Sequence, residues 1–291
     1  MRYTEGTVPK YACCESVLQI FSIRVMEIKD GLEWPLHVYG FAATRDSVDY
    51  NRDLLFNRTR DDCQILTEED PHLVLTGPSR AVVFIDPVEI EVRLRVKGKT
   101  IAEDKFLLLD ILEHNEDYAC YNPSLITRHC TSKRSTLEFK WTVLYTTVEA
   151  TISRVQIIDG SWPQDFRGKV VACTASLDTA DIILLDSRDG RMPITCDGEI
   201  KLSRKVVSVE ALGLLGISVE ASQVDNAPNE VTKDWVVYKA RMCGESYGIF
   251  DLGFCKVGVT VAWSLLATLD DMRLAGKRKT SKYWKRRTSK Y

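Results

Sequence analysis

The segment Val88–Val96 alternates without a break between apolar and charged residues. This period of two is typical of a strand with one face in a core and the other in water. Leu137–Tyr145 alternates in a similar way, and turn-forming pairs such as Asp30-Gly31 separate further runs rich in β-branched and aromatic residues. Only 49–57 and 265–275 look helical, so many short strands predict an all-β sandwich or barrel. The further predicted strands are 17–28, 36–44, 81–85, 106–111, 148–158, 169–175, 182–185, 205–209, 217–219, 235–240 and 257–263.

The second half of the chain repeats the first in order. Arg24–Pro35 corresponds to Arg154–Pro163, each a strand followed by a turn and a Trp-Pro pair. An ordered match whose spacing drifts only in loops is what duplication followed by loop insertion produces. We therefore predict an all-β fold of two tandem antiparallel β-sandwich units related by internal duplication, plus a disordered basic C-terminal tail. The further matching blocks are 53–56 with 182–185, 79–83 with 203–207, 103–106 with 233–236, and 137–143 with 257–263.

The repeat sets the predicted domain limits. Residues 1–15 form a flexible N-terminus, 16–146 the first sandwich repeat, 147–266 the second, and 267–291 the basic tail. Each repeat is long enough for a core of its own. The pattern leaves open whether the repeats form separate sandwiches or one intertwined unit.

Charge is distributed unevenly along the chain. Of its 39 Lys and Arg residues, nine lie in 273–291, where there is no acid, which leaves 30 against 41 Asp and Glu elsewhere. An acidic body repels phosphate backbones, so nucleic acid is expected to bind only through the tail, if at all. The tail is interpreted as a polyanion or nuclear-import contact, or equally as an extension without a role. The residues of that candidate contact are Lys277, Arg278, Lys279, Lys285, Arg286 and Arg287.

The composition predicts a soluble intracellular protein. The N-terminal residues lack the apolar stretch of a secretory signal, and no apolar run reaches the ~18 residues of a transmembrane helix. Nine cysteines form an odd set without a C-x-x-C pair, which favours reduced, buried thiols over disulfides or zinc ligands. We expect a cytoplasmic or nuclear location.

Several motifs resemble a plant family, abundant in grasses, that is known as a domain of unknown function. The resemblance covers nearly the whole body of the chain and implies no established activity. Some members of that family are joined to a ribosome-inactivating N-glycosidase domain, which would make the present chain an accessory module. The motifs are Gly31–Gly40, Leu54–Asp61, Leu73–Val83, Thr131–Phe139, Leu184–Pro193 and Val259–Ser264.

No catalytic constellation is evident in the sequence. The four histidines accompany neither a nucleophile elbow nor a cysteine-enzyme signature, and no glycine-rich phosphate loop follows a strand. His37 is expected in a strand and His129 in a polar loop, both as structural residues. We predict no enzyme activity, no catalytic or metal-binding residue and no cofactor.

Acidic residues cluster in three loops that could cage calcium with carboxylate oxygens. Solvated turn residues are the simpler interpretation, and in the first cluster ion pairs with the interleaved Arg45, Arg52, Arg58 and Arg60 would satisfy the acids without metal. The clusters are Asp46, Asp49 and Asp53; Glu68, Glu69 and Asp70; and Asp178, Asp181, Asp186 and Asp189.

The leading functional hypothesis is a non-enzymatic protein-interaction module, with another protein as partner, because tandem sandwiches offer broad faces and edge strands. One alternative is a calcium- or lipid-responsive β-sandwich. Another is an accessory domain of a ribosome-inactivating toxin or defence system.

Overall fold

Antiparallel strands make up nearly all of the regular structure. A computed structural model of the chain describes residues 4, 7–8, 12–48, 51–115, 123–188, 190–224 and 231–266. Within these residues every strand pairing is antiparallel and the only helical turn is a 3-10 turn at Ile101–Glu103, so the predicted all-β class is confirmed. The strands are β1 (Glu15–Ile28), β2 (Leu36–Arg45), β3 (Asp53–Arg58), β4 (Gln64–Leu66), β5 (Val82–Val83), β6 (Val88–Val96), β7 (Lys105–His114), β8 (Ile126–Thr131), β9 (Ser135–Gly160), β10 (Phe166–Thr174), β11 (Leu177–Asp186), β12 (Val206–Glu210), β13 (Leu214–Gln223), β14 (Val231–Lys239), β15 (Cys243–Asp251) and β16 (Cys255–Ser264).

The first half of the chain forms a two-layer sandwich. One layer has the order β8-β9-β1-β5, and the other has the order β3-β2-β6-β7 with β4 added beside β2. The inward-facing positions of these strands form one apolar core around Trp141, Phe139 and Phe56, each of which is almost fully buried. The alternation that predicts β6 is the alternation that buries Val88, Ile90, Val92 and Leu94 in this core.

The second half repeats this arrangement strand by strand. Its layers have the orders β15-β16-β9-β12 and β11-β10-β13-β14, and its own core surrounds Trp263 and Phe250. Each strand of the second half thus has a counterpart at the same place in the first. The correspondence supports the predicted duplication, because the matching sequence blocks lie on matching strands.

The two sandwiches share the long strand β9. Its first part pairs with β1 and β8, and its last part pairs with β12 and β16. The predicted limit between residues 146 and 147 falls inside β9, beside Thr146, whose φ of 53° places it in the left-handed region. The domain limits stay a prediction, but the two cores are distinct clusters joined by one continuous strand.

Two reciprocal hydrogen bonds cross the junction between the sandwiches. The side-chain oxygen of Gln19 on β1 accepts the backbone N–H of Ser208 at 2.9 Å, and the carboxylate of Glu149 on β9 accepts the backbone N–H of Ala81 at 2.8 Å. Gln19 and Glu149 are equivalent positions when the repeats are aligned on Arg24 and Arg154. Both side chains are buried, so each unit satisfies a backbone donor of the other.

The expected helix over 49–57 is wrong for its described part. Residues 53–58 form β3, because pairing with β2 buries Leu55 and Phe56 and outweighs the local helical pattern. The expected polar loop at His129 is also wrong, because His129 lies within β8. The other predicted helix, 265–275, lies almost wholly outside the described residues.

Candidate functional site

The tail contact predicted from the sequence cannot be placed. Residues 267–291 lie outside the described part of the chain. That range contains all six predicted residues, namely Lys277, Arg278, Lys279, Lys285, Arg286 and Arg287. The candidate polyanion or nuclear-import contact therefore stays a prediction.

Several carboxylates of the acidic clusters are engaged with protein groups. Asp46 accepts two bonds from Arg80, at 2.6 and 2.7 Å, and Asp53 accepts the backbone N–H of Ser79 at 2.7 Å. Asp70 forms a salt bridge with Arg188. The structure does not describe Asp49, Asp189 or the side chain of Asp178. Among the described residues, no group of three His, Cys, Asp or Glu side chains has the spacing of a metal site.

The described thiols and histidines do not form a nucleophilic pair with an orienting group. Burial raises the pKa values of Cys130 and Cys255 to about 11, which keeps both thiols protonated and unreactive near neutral pH. The Sγ of Cys63 lies 3.8 Å from Nδ1 of His37, a distance at the limit of a weak contact.

A groove with aromatic and arginine walls lies on the outer face of the first sandwich, across β2, β6 and β7. Two rows of side chains cross these strands in register: Tyr39, Arg95 and Phe106 form one, and Phe41, Arg93 and Leu109 the other. Alternation along β2 and β6, together with the register shift in β7 between the two rows, places all six on the face that points away from the core. We call Tyr39, Phe41, Arg93, Arg95 and Phe106 the arginine–aromatic face.

Gly40 forms the floor of the groove between Tyr39 and Phe41. Its φ is +112°, and a Cβ at this position would lie 2.1 Å from the backbone oxygen of Arg93. Only glycine allows β2 to run this close to β6. The resulting open depression has a volume of about 250 Å³ and is lined by Gly40, Tyr39, Phe41, Arg93 and Arg95.

Two guanidinium groups in and beside the groove lie over aromatic rings. Arg95 is 4.2 Å from the centroid of Phe106, and Arg52, at the margin, is 4.7 Å from the centroid of Phe41. Cation–π contacts of this kind hold the charges in fixed positions while leaving their N–H groups free to donate. The Nε of Arg95 is buried and has no hydrogen-bond partner among the described residues.

The arginines around this face differ in whether a carboxylate neutralises them. Arg45 and Arg52 both donate to Glu91, and Arg60 forms a salt bridge with Asp104. Within the described part of the chain, Arg93 and Arg95 form no salt bridge. The face therefore carries two uncompensated cations beside ion pairs that are already complete.

Asp104 fixes one wall of the groove. Its carboxylate accepts bonds from Arg60 at 2.9 Å and from the Tyr39 hydroxyl at 2.6 Å, and these hold its pKa far below the usual range. Burial and the bond to Asp104 raise the pKa of Tyr39, against a smaller opposing effect of Arg95. Tyr39 is thus a neutral, oriented ring at neutral pH.

Exposed apolar side chains border the same face. Leu109 and Ile111 on β7 are 63% and 62% exposed, and β7 is an edge strand of its sheet. Exposed apolar groups of this size beside unpaired cations are features of interaction surfaces.

The equivalent outer face of the second sandwich has a different character. Its β14 exposes Trp235 and Val237, which are 65% and 44% accessible, and Lys233 on the same strand pairs with Glu220. The two halves share a fold but present different surfaces.

A second charge cluster lies on the other layer of the first sandwich. Glu138 is contacted by Arg24 at 2.7 Å and by Lys140 and His129 at 3.3 Å each. Burial opposes ionisation of Glu138, but these bonds outweigh it and lower its pKa to about 2. Both carboxylate oxygens are occupied, so we interpret the cluster as a stabilising network.

The sequence alone did not indicate the arginine–aromatic face. Arg93 and Arg95 were recognisable only as the water-facing side of a strand, and Tyr39 and Phe41 only as part of another. The aromatic spacing of two in Tyr39-Gly-Phe41 and the arginine spacing of two in Arg93-Leu-Arg95 were the available signal. That signal becomes a site only when the pairing of β2 with β6 is known.

Comparison with known proteins identifies a family for the chain but no activity. A family model described as "Domain of unknown function (DUF6598)" matches residues 17–261. No curated protein matches the chain. Within the described part of the chain there is no helix that is long and apolar enough to cross a bilayer.

Two solved structures are similar at low identity. Human GIVD cytosolic phospholipase A2 is 8% identical, with 88% of this chain and 33% of that chain covered and a TM-score of 0.26. A pair of C2 domains from Extended-Synaptotagmin 2 is 9% identical, with 92% of this chain and 98% of that chain covered and a TM-score of 0.29. The chain thus spans about a third of the phospholipase chain. TM-scores this low support no argument about the present protein.

Proposed function

Because the chain belongs to the DUF6598 family of unknown function, we propose its role from its own geometry: it is a non-catalytic protein-interaction module. In this proposal the arginine–aromatic face binds an acidic, partly apolar segment of another protein. The supporting observation is that Arg93 and Arg95 lack carboxylate partners within the described residues, although neighbouring arginines have them.

The chemistry of the face suits a carboxylate. A guanidinium presents parallel N–H donors that match the two oxygens of a carboxylate, and such charge-assisted pairs are stronger than neutral hydrogen bonds. Phe106 pre-positions the guanidinium of Arg95, which lowers the entropy lost on binding. Leu109 and Ile111 provide an apolar strip for the side chains that flank the acidic group.

A protein segment fits this face better than a membrane or a nucleic acid. Apart from the nine basic residues of 273–291, the chain has 30 Lys and Arg against 41 Asp and Glu. This net charge of about −11 repels surfaces with many phosphates, while a local pair of cations can still bind one acidic group. Glu89 and Glu113 lie opposite each other in register on the same sheet and add further repulsion toward an anionic bilayer.

The test measures binding of a labelled synthetic peptide in which Glu and Leu alternate, by fluorescence anisotropy with the full chain. A Lys-Leu peptide of the same length serves as the charge-reversed control. We expect the acidic peptide to bind and the double variant Arg93→Gln/Arg95→Gln to weaken it at least tenfold. The matched variant Lys233→Gln/Lys239→Gln, on the equivalent face of the second sandwich, is expected to leave binding unchanged.

A second assay, run beside the peptide titration, distinguishes the other hypotheses. Cosedimentation with vesicles of phosphatidylserine, dependent on calcium and without peptide binding, would favour the calcium- or lipid-responsive alternative. Equal peptide binding by wild type and by the arginine double variant would refute the proposed face. A role as accessory module of a ribosome-inactivating system predicts a separate glycosidase partner and rests on the family resemblance alone.

A further inference from the structure

The guanidinium of Arg204 is enclosed in the second sandwich. Its side chain is 0% exposed, and none of its three guanidinium nitrogens has a hydrogen-bond partner among the described residues. Burial lowers the pKa of Arg204 only to about 10, so the group remains charged near neutral pH. A buried charge without a counterion is strongly unfavourable, and this charge therefore requires an anion that the described side chains do not supply.

The first sandwich shows how the equivalent arginine is neutralised. Arg80 occupies the position of Arg204 in the repeated block 79–83 and 203–207. Its Nη1 and Nη2 donate to the carboxylate of Asp46 at 2.6 and 2.7 Å, and Nη1 also donates to the backbone oxygen of Ala81 at 2.8 Å. The Asp46 side chain is 1% exposed, so this is a buried ion pair.

The second sandwich lacks this carboxylate at the corresponding position. The strand pairs β2–β3 and β10–β11 share a register shift, between Ala42 and Ala43 in one and between Val170 and Val171 in the other. The pair β10–β11 has a second shift between Ala172 and Thr174, but β10 itself stays in unbroken register with β13 through Thr174. Counting forward from the shared shift aligns Asp46 with Thr174, which is buried. A threonine hydroxyl cannot neutralise a guanidinium.

The backbone acceptor is also engaged elsewhere. Lys205 corresponds to Ala81, and its carbonyl oxygen accepts the backbone N–H of Ile152 at 2.8 Å. At the second site Thr174 thus stands in place of the carboxylate, and the Lys205 carbonyl accepts a backbone N–H but no bond from Arg204.

We propose that Arg204 anchors a binding site for a small monovalent anion, a halide or a short carboxylate such as formate, in the place that the Asp46 carboxylate occupies in the first sandwich. The fork of Arg204 offers two parallel N–H donors, which either ion can accept. Arg204 is fully buried, and a single carboxylate neutralises the equivalent Arg80, so a small anion is the class of ligand we propose. This site lies in the other half of the chain from the arginine–aromatic face and does not depend on the proposed function.

Thermal unfolding of the full chain tests the site. Chloride and, separately, formate are titrated at constant ionic strength against gluconate, a much larger anion that serves as the reference. We expect the Tm of the wild type to rise with the logarithm of the anion concentration above the dissociation constant, reaching about 5 °C at a hundredfold excess.

Two variants separate the site from general salt effects. Arg204→Met removes the charge but keeps an unbranched apolar stem, and its Tm is expected to be independent of both anions. Thr174→Asp supplies the carboxylate within the chain and is expected to raise the Tm in gluconate and abolish the response. Since the second variant keeps Arg204, it remains informative even if Arg204→Met does not fold.

The proposal is overturned if neither anion shifts the wild-type Tm, or if Thr174→Asp retains the wild-type response. An equal response of Arg204→Met would show that the anions act elsewhere on the chain.

Discussion

Replacement of Asp46 by asparagine should destabilise the protein more than any other single loss of a carboxylate discussed above. Asp46 is buried, pairs with Arg80 through both oxygens and also accepts the backbone N–H groups of Val83 at 2.8 Å and Val48 at 3.1 Å. Asp46→Asn keeps the shape but removes the charge, so the largely buried guanidinium of Arg80 loses the carboxylate that accepts from both of its Nη atoms. Such half-broken pairs typically cost about 3–5 kcal/mol.

The structure places the expected value near the lower end of that range. The Arg80 side chain retains 21% exposure, so water compensates part of its charge in the variant. We expect a loss of about 3 kcal/mol in the free energy of unfolding. With an m-value of about 3 kcal/mol/M, the urea midpoint falls by about 1 M.

Urea denaturation followed by tryptophan fluorescence measures this change. Asp62→Asn is the matched control, because Asp62 pairs with Arg58 but is 71% exposed, and its loss should cost less than about 0.5 kcal/mol. If Asp46→Asn shifts the midpoint no more than Asp62→Asn does, the buried clamp contributes little and the comparison with Arg204 loses its basis.

Two further predictions concern the same sandwich. The pKa of Glu138 is lowered to about 2 in the folded chain, so the stability that its ionised form contributes is complete above the ordinary pKa near 4.5 and is lost as the pH falls toward 2. The urea midpoint of Glu138→Gln should therefore lie below that of the wild type at pH 6 and converge with it near pH 2. A difference that stays constant with pH would count against the network. Gly40→Ala should lower the free energy of unfolding by roughly 2 kcal/mol or more, because its Cβ would lie 2.1 Å from a backbone oxygen. The control Gly253→Ala, at φ +80° with open space around it, should lower it by about 1 kcal/mol. Equal losses would contradict the close approach of β2 to β6.

Local pattern predicted the strands whose side chains alternate or whose β-branched content is high. The segment 88–96 is β6 at the predicted limits, and the predicted 17–28 differs from β1 by two residues at its start. Besides β3, the strands β4, β8 and β15 were not predicted. In β15, residues such as Gly244, Ser246 and Gly248 have low strand propensity and are held by pairing with β16.

The order of the repeated blocks carried more information than any single block. It anticipated that Val82-Val83 and Val206-Val207 occupy equivalent edges, although β5 is only two residues long. It did not reveal that one strand serves both sandwiches, since Leu137–Tyr145 and 148–158 were predicted as separate strands on either side of Thr146.

Site prediction was limited for a different physical reason. The arginine–aromatic face exists only through the cross-strand register of Tyr39 with Arg95 and of Phe41 with Arg93, residues far apart in sequence. The unpaired state of Arg204 depends in the same way on which residue replaces Asp46. The local sequence offers only the two-residue spacings of the aromatic and arginine pairs for the first feature and nothing for the second, because both depend on residues that are distant in sequence.

The most direct test of the account is an NMR titration of the arginine side-chain Nε–Hε resonances of the full chain with the Glu-Leu peptide. The account predicts that the resonances of Arg93 and Arg95 shift progressively and saturate together, while those of Arg60, neutralised by Asp104, and Arg167, on the second sandwich, stay in place. Shifts confined to arginines outside the arginine–aromatic face, or no shifts at saturating peptide, would contradict it.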